Sequence, residues 1–171
     1  NGAWVDYAPG WLDGHAVLYD HLLRTTRWQQ GEEQMYDRIV QVPRLYAALP
    51  QHGPGHPILA EVKSTLGARY GEDFCRLSLG YYRDGRDSVA WHGDRVARRM
   101  DSALVATVSL GAPRRFLMRP YGGGESIAYQ LGWGDLLVMG GTCQRTYQHC
   151  VPKVAQADGR IAVMFRPIWE E

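Results

Sequence analysis

The sequence predicts a mainly β (α+β) domain, a sheet sandwich or barrel with helices flanking it at the N-terminal side. Three observations support this. Apolar residues at helical spacing are confined to the stretch before Gly71, period-two alternation takes over after it, and Gly- or Pro-containing turns then recur at short intervals. With 171 residues, 45% of them hydrophobic and 22% charged, the chain suits one domain over residues 1–171 with a substantial core.

From Trp11 to about Trp28, Leu12, Ala16, Tyr19, Leu22 and Leu23 recur at three- and four-residue steps, which predicts an amphipathic helix stopped near Gly31. Met35 to Leu45 mixes β-branched, aromatic and charged residues, and Val42-Pro43 biases the chain to extended geometry, so a hairpin is expected there. Pro50 to Pro57 is a loop. A second helix starts at Pro57, carries Ile58, Val62, Leu66 and Tyr70 on one side, and ends at Gly71. Cys75, Leu77, Leu79 and Tyr81 then alternate with polar or small residues as in a half-buried strand, and Asp84-Gly85 makes a turn. Further strands are expected at Ser88–His92, Ala103–Leu110, Arg114–Arg119, Ser126–Leu131, Asp135–Met139, Arg145–Cys150 and Arg160–Pro167.

Composition narrows the function classes. No apolar run approaches the roughly 20 residues of a membrane span, and no secretory signal is visible, so no membrane partner is expected. Cys75, Cys143 and Cys150 are odd in number and lack C-x-x-C spacing, which indicates neither a disulfide framework nor a zinc knuckle and fits a reducing cytoplasm. A net charge of +1 argues against a strongly electrostatic nucleic-acid binder. Between Arg83 and Arg119, however, eight arginines stand against four acids, either a solvated face or a phosphate-facing one.

The candidate chemistry centres on Trp91-His92-Gly93-Asp94 and on His149, fifty-five positions after Asp94. An H-x-D at a strand end puts both side chains on one face. With His149 they make two imidazoles and one carboxylate, a set that can occupy one face of an octahedral metal and leave the other open, the facial triad expected of a non-haem Fe(II) oxygenase. The last strand adds an independent signal: Ile161, Val163 and Phe165 share one face, while Arg160, Ala162, Met164 and Arg166 share the other. If that second face is interior, each guanidinium needs an anion, and a dicarboxylate would supply one. His15, His21, His52 and His56 are read as structural or solvated, and Cys143 and Cys150 as packing residues.

Tyr82 through Asp94, Ser109-Leu110-Gly111, Gly134 through Met139, His149-Cys150-Val151-Pro152-Lys153 and Arg160 through Arg166 together resemble the AlkB-like Fe(II)/2-oxoglutarate dioxygenases, from about Met35 to Pro167. The resemblance implies a double-stranded β-helix (jelly roll) with N-terminal flanking helices and a short recognition lid over about residues 31–55. It implies iron held by His92, Asp94 and His149, and 2-oxoglutarate bound by Tyr82, Arg160 and Arg166, with O2 as oxidant. Met35 and Tyr36 occupy the place of the apolar wedge in the lid; with Arg38, Trp91 and Arg95 they are assigned to substrate. The implied activity is oxidative demethylation of alkylated nucleobases in single-stranded DNA or RNA, with formaldehyde, succinate and CO2 as products; apart from the resemblance, a cytoplasmic monomer is expected. The sequence departs from the family at Gly80 and Ala162, where asparagines are common, and at Val96, where some members have an acid. Two alternatives stay open: an oxygenase acting on a protein side chain or small metabolite, and a non-catalytic nucleic-acid binder.

Overall fold

The computed structural model describes residues 2–51 and 55–169 and so leaves His52 outside the described residues. Its elements run β1 (Ala3–Ala8), α1 (His15–Thr25), β2 (Gln29–Met35), β3 (Arg38–Ala48), α2 (Pro57–Tyr70), β4 (Arg76–Tyr82), β5 (Val89–His92), β6 (Val105–Gly111), β7 (Arg114–Pro120), β8 (Ile127–Leu131), β9 (Asp135–Gly141), α3 (Cys143–Thr146), β10 (Tyr147–Val151) and β11 (Arg160–Arg166). A seven-stranded sheet in the order β1-β9-β6-β11-β4-β3-β2 faces a four-stranded sheet in the order β5-β10-β7-β8, with every pairing antiparallel. This is the jelly roll expected from the sequence. Among the described residues no helix is long and apolar enough to cross a membrane.

The larger sheet divides the interior into two cores. On its outer face Leu18 and Leu22 of α1 and Leu59, Val62 and Leu66 of α2 pack on Leu79, Val108, Leu136, Ile161, Val163 and Phe165. Between the sheets lie Tyr82, Val105, Leu137, Met139 and Ala162, against Phe116, Met118, Leu131 and Val151 of the smaller sheet. Removing each such large apolar side chain from water contributes about 1.5–3 kcal/mol. The alternation read in β11 therefore has a definite consequence. Its apolar face turns to the helices, and Arg160 and Arg166 share the face directed between the sheets.

α1 is shorter than expected from Trp11–Trp28. Its start is held back because the Leu12 amide bonds Gly134 O at 3.0 Å, and its end comes at Thr25, where Thr26 turns extended and the Trp28 indole N–H reaches Leu23 O at 3.4 Å. The chain passes straight into β2 at Gln29, so the hairpin begins earlier than Met35. α2 ends as predicted, with Gly71 in the left-handed region at φ 71°. Arg145–Cys150 is not wholly strand: a helical turn, α3, occupies Cys143–Thr146 because Arg145 N and Thr146 N both bond Thr142 O at 2.9 Å. β1, unanticipated in the sequence, forms an edge of the larger sheet against β9.

Candidate active site

β5 and β10 set two histidines face to face. His92 pairs in register with His149, but Val89 pairs with Val151, so three steps on β5 span two on β10. This bulge at Ala90–Trp91 re-aims His92 toward the interior. The two imidazole centroids are 4.3 Å apart, and Phe116 stacks on His149 at 5.2 Å with a 21° interplanar angle. Burial pushes the pKa of His92 down, and burial followed by the proximity of His92 pushes that of His149 well down, so both rings favour the neutral form. Ala90 O lies 2.7 Å from His92 Nδ1; because a carbonyl only accepts, the proton belongs on Nδ1 and the Nε2 lone pair is left free.

Asp94 follows in the turn after β5. Gly93 makes that turn possible, since a Cβ there would stand 2.7 Å from Gln144 O and 3.2 Å from the Arg98 side chain. The Asp94 carboxylate is committed on both oxygens. Oδ2 accepts from Arg166 Nε at 2.7 Å, and Oδ1 accepts from the Val96 and Ala97 amides at 3.2 and 3.3 Å. Among the described residues no three His, Cys, Asp or Glu side chains converge into a metal cage. The structure thus brings His92 and His149 together and places Asp94 beside them in an ion pair with Arg166. The donor chemistry, two neutral imidazoles and one carboxylate, fits a divalent iron once the carboxylate shares or exchanges its arginine contact.

Arg160 points most clearly to an anionic ligand. It is 1% exposed, and its Nη2 donates to Ser109 Oγ at 2.8 Å, while Nε and Nη1 are buried without a partner. No ion pair involves it among the described residues, and burial pulls its pKa down. A buried, incompletely bonded cation is costly, and a dicarboxylate would supply the acceptors it lacks. Tyr82, 5% exposed, lies between Arg160 and Arg114, whose guanidinium carbons are 5.2 and 5.6 Å from its ring centroid. Arg166 also donates to Ser78 Oγ at 3.0 Å, so its contacts here are Asp94 and β4 rather than Arg160's surroundings.

Gly80 and Ala162 face one another across β4 and β11. A Cβ at Gly80 would meet the Arg44, Met164 and Tyr82 side chains at 3.8 Å each, ordinary contacts that leave it room. Arg44 reaches from β3 far enough for its charge to weigh on both histidines. It also lines a cavity of about 250 Å³ on the lid with Gln29, Gln30, Glu33, Val42 and Tyr46. Arg44 and Gln144 went unread in the sequence because each acts across strands that only the fold brings together. Gly93→Ala is expected to lower stability by about 1–3 kcal/mol, because the new methyl meets a backbone oxygen. Gly80→Ala should change it by less than about 0.5 kcal/mol, as for a site with room to spare. Thermal unfolding of the two variants checks this; equal effects would contradict the close approach at Gly93.

The β2–β3 hairpin covers most of the stretch expected as a lid. Met35 pairs with Arg38, and Tyr36 and Asp37 form the tip. Tyr36 is 98% exposed and holds φ 55°, a conformation that costs an aromatic residue about 1 kcal/mol or more. Trp91 lies under the Arg119 guanidinium, 4.0 Å from carbon to ring centroid. The arginine cluster resolves into separate roles. Arg83 pairs with Asp87, Arg86 with Asp84, and Arg114 is buried with its guanidinium on Asp84 O, Asp87 O and Pro152 O at 3.0, 2.8 and 2.7 Å. Arg95, Arg98, Arg99 and Arg115 remain exposed, with no ion pair among the described residues.

Comparison with known proteins bears on the same residues. The sequence profile of the 2OG-Fe(II) oxygenase superfamily matches residues 77–166, which contain His92, Asp94, His149, Arg160 and Arg166. The chain is 31% identical to alpha-ketoglutarate-dependent dioxygenase alkB homolog 3 of Bos taurus, over 98% of this chain and 67% of that protein. Its identity to the Homo sapiens alkB homolog 3 is 30%, over 95% and 65%. The chain therefore spans about two thirds of the length of these relatives. To the DNA oxidative demethylase ALKBH2 of Arabidopsis thaliana it is 32% identical, over 61% of this chain and 42% of that one. The solved structure of OsALKBH1 superposes with a TM-score of 0.65 over 96% of either chain at 14% identity, a likeness of fold alone.

Proposed function

Since the chain belongs to the AlkB-like 2OG-Fe(II) oxygenases, dioxygenases that use Fe(II), 2-oxoglutarate and O2, we propose that it demethylates alkylated nucleobases in DNA or RNA. His92, Asp94 and His149 would hold the iron, and Arg160 and Tyr82 the cosubstrate, with Arg166 steadying Asp94. When bound, iron and 2-oxoglutarate would supply an oxidant from O2, one atom of which would hydroxylate the substrate N-methyl group while the other would end in succinate with loss of CO2, and the hydroxymethyl product would release formaldehyde.

The chain's own residues contribute placement. His92 presents Nε2 because Ala90 O fixes its tautomer, and Phe116 fixes the plane of His149. Arg160, buried from solvent, orients a carboxylate from the floor between the sheets. The observation that carries the nucleic-acid reading is the lid tip. An aromatic side chain held 98% exposed, in a strained turn, on a hairpin beside the site suits an element that takes the place of a base in a stack. Exposed Arg95, Arg98, Arg99 and Arg115 suit contact with phosphates.

The test is incubation of iron-loaded protein with 2-oxoglutarate and N-methylated oligonucleotide, measuring formaldehyde and succinate. Both products should appear in equal amounts. Succinate release without demethylation would direct the chemistry to another substrate, and oligonucleotide binding without either product would leave a binder. Tyr36→Ala should reduce turnover of a methylated duplex about tenfold or more, and of the single strand much less, because only the duplex has to be unstacked.

A further inference from the structure

The structure assigns Gln144 a positioning role: its side chain and main chain together hold the Gly93–Asp94 peptide where Asp94 can serve as a metal ligand. Gln144 is 2% exposed and lies on α3, five residues before His149. Its Oε1 accepts the Asp94 amide N–H at 2.8 Å. Its backbone oxygen stands 2.7 Å from the place of a Cβ on Gly93. One residue therefore touches two successive positions of the turn.

The amide is oriented by what surrounds it. Its Nε2 faces Met139 Sδ at 3.6 Å, a weak acceptor with no proton to give, so the oxygen is the atom left for Asp94 N–H. A buried amide without hydrogen bonds is costly, and an apolar side chain of the same shape would fit the core while leaving the Asp94 N–H unpaired. The glutamine is explained by that N–H.

Of the other restraints on Asp94, the Arg98 amide holds the main-chain oxygen that follows it, at 3.0 Å, and the rest act on its carboxylate: Arg166 on Oδ2, and the Val96 and Ala97 amides on Oδ1. The carboxylate contacts must loosen when an oxygen turns to a metal. Gln144 grips the main chain, so it stays engaged while the carboxylate changes partner, and the turn pivots about a fixed peptide. Because α3 leads directly into β10, the same contact keeps the turn after β5 in step with His149. The role rests on the proposed ligation by His92, Asp94 and His149, so its test must separate the two.

Co(II) binding to the metal-free protein, without 2-oxoglutarate and followed by visible absorption, provides that test. Gln144→Met keeps the shape and removes the acceptor; it should weaken Co(II) binding about tenfold or more, in the range seen for partners of metal ligands. Gln144→Glu keeps an oxygen acceptor in either protonation state and should bind no worse than about threefold below the parent. Parent-like binding by Gln144→Met, or equal loss in both variants, overturns the positioning role. Asp94→Ala is measured alongside: undiminished binding there overturns the ligand assignment and this role with it, whereas loss in Asp94→Ala with none in Gln144→Met overturns Gln144 alone. Amide exchange needs no folded Gln144→Met variant. The Asp94 N–H should exchange slowly in the parent and in Gln144→Glu, and fast exchange in the parent would overturn the inference.

Discussion

Arg160→Met is expected to raise the stability of the ligand-free protein while lowering its affinity for 2-oxoglutarate by about 100- to 10,000-fold. The two effects have one cause. Arg160 is buried to 1% exposure with Nε and Nη1 unpartnered, and a buried charge replaced by a well-packed apolar side chain commonly stabilises a fold by about 1–4 kcal/mol. Part of that gain is offset because Ser109 Oγ, itself fully buried, loses its donor at a cost of about 1 kcal/mol. A net gain of up to about 3 kcal/mol remains, a rise of several degrees in melting temperature for a chain of this size. The loss of affinity follows from removing two charge-assisted hydrogen bonds, each worth about 1.5–3 kcal/mol. Calorimetric titration with 2-oxoglutarate and thermal unfolding measure the two halves separately. Unchanged cosubstrate binding would remove Arg160 from the pocket, and lowered stability would mean that the cation is satisfied within the fold.

His149→Gln should lower turnover by at least about 1,000-fold while leaving the protein folded, because it removes one of only two imidazoles at the site and keeps most of the volume beside Phe116. Asp94→Ala should be as inactive and also less stable, by about 1–3 kcal/mol, since it strands Arg166 and two backbone amides. The contrast separates a residue whose work is chemical from one that also ties the fold. Succinate release and denaturant unfolding on the same preparations check it. Turnover retained by either variant would remove that residue from the metal site.

Much of this arrangement could be read from local pattern. Alternation along Arg160–Arg166 is a property of one strand, and it puts both arginines on one face; that this face lies between the sheets is decided by the fold. Pro57 and Gly71 likewise bound α2 by their own backbone preferences. What escaped depends on partners distant in sequence. Asp94 meets Arg166 across 72 positions and Gln144 across 50, and no spacing rule joins such pairs. β1 is an edge strand whose place is set by β9, and the bulge that aims His92 exists only in the pairing of β5 with β10. The charge count between Arg83 and Arg119 did not distinguish a buried Arg114 from an exposed Arg95, since burial is decided by the sheet, not by composition.

Arg114 also apportions motion around the site. By fastening the carbonyls of Asp84, Asp87 and Pro152, it makes the loops after β4 and β10 one stiff jaw whose opening requires breaking several buried bonds at once. The hairpin opposite is built differently. β3 joins β4 only over Leu45–Ala48, so the rest of the lid is a cantilever of two strands bonded to each other. A single backbone bond, Ser88 N to Pro43 O at 2.7 Å, latches its root to the stiff jaw. Local opening at low free energy is therefore confined to the hairpin, and amide exchange should grade from fast at its tip to slow at Ala47, with the Ser88 amide reporting the latch.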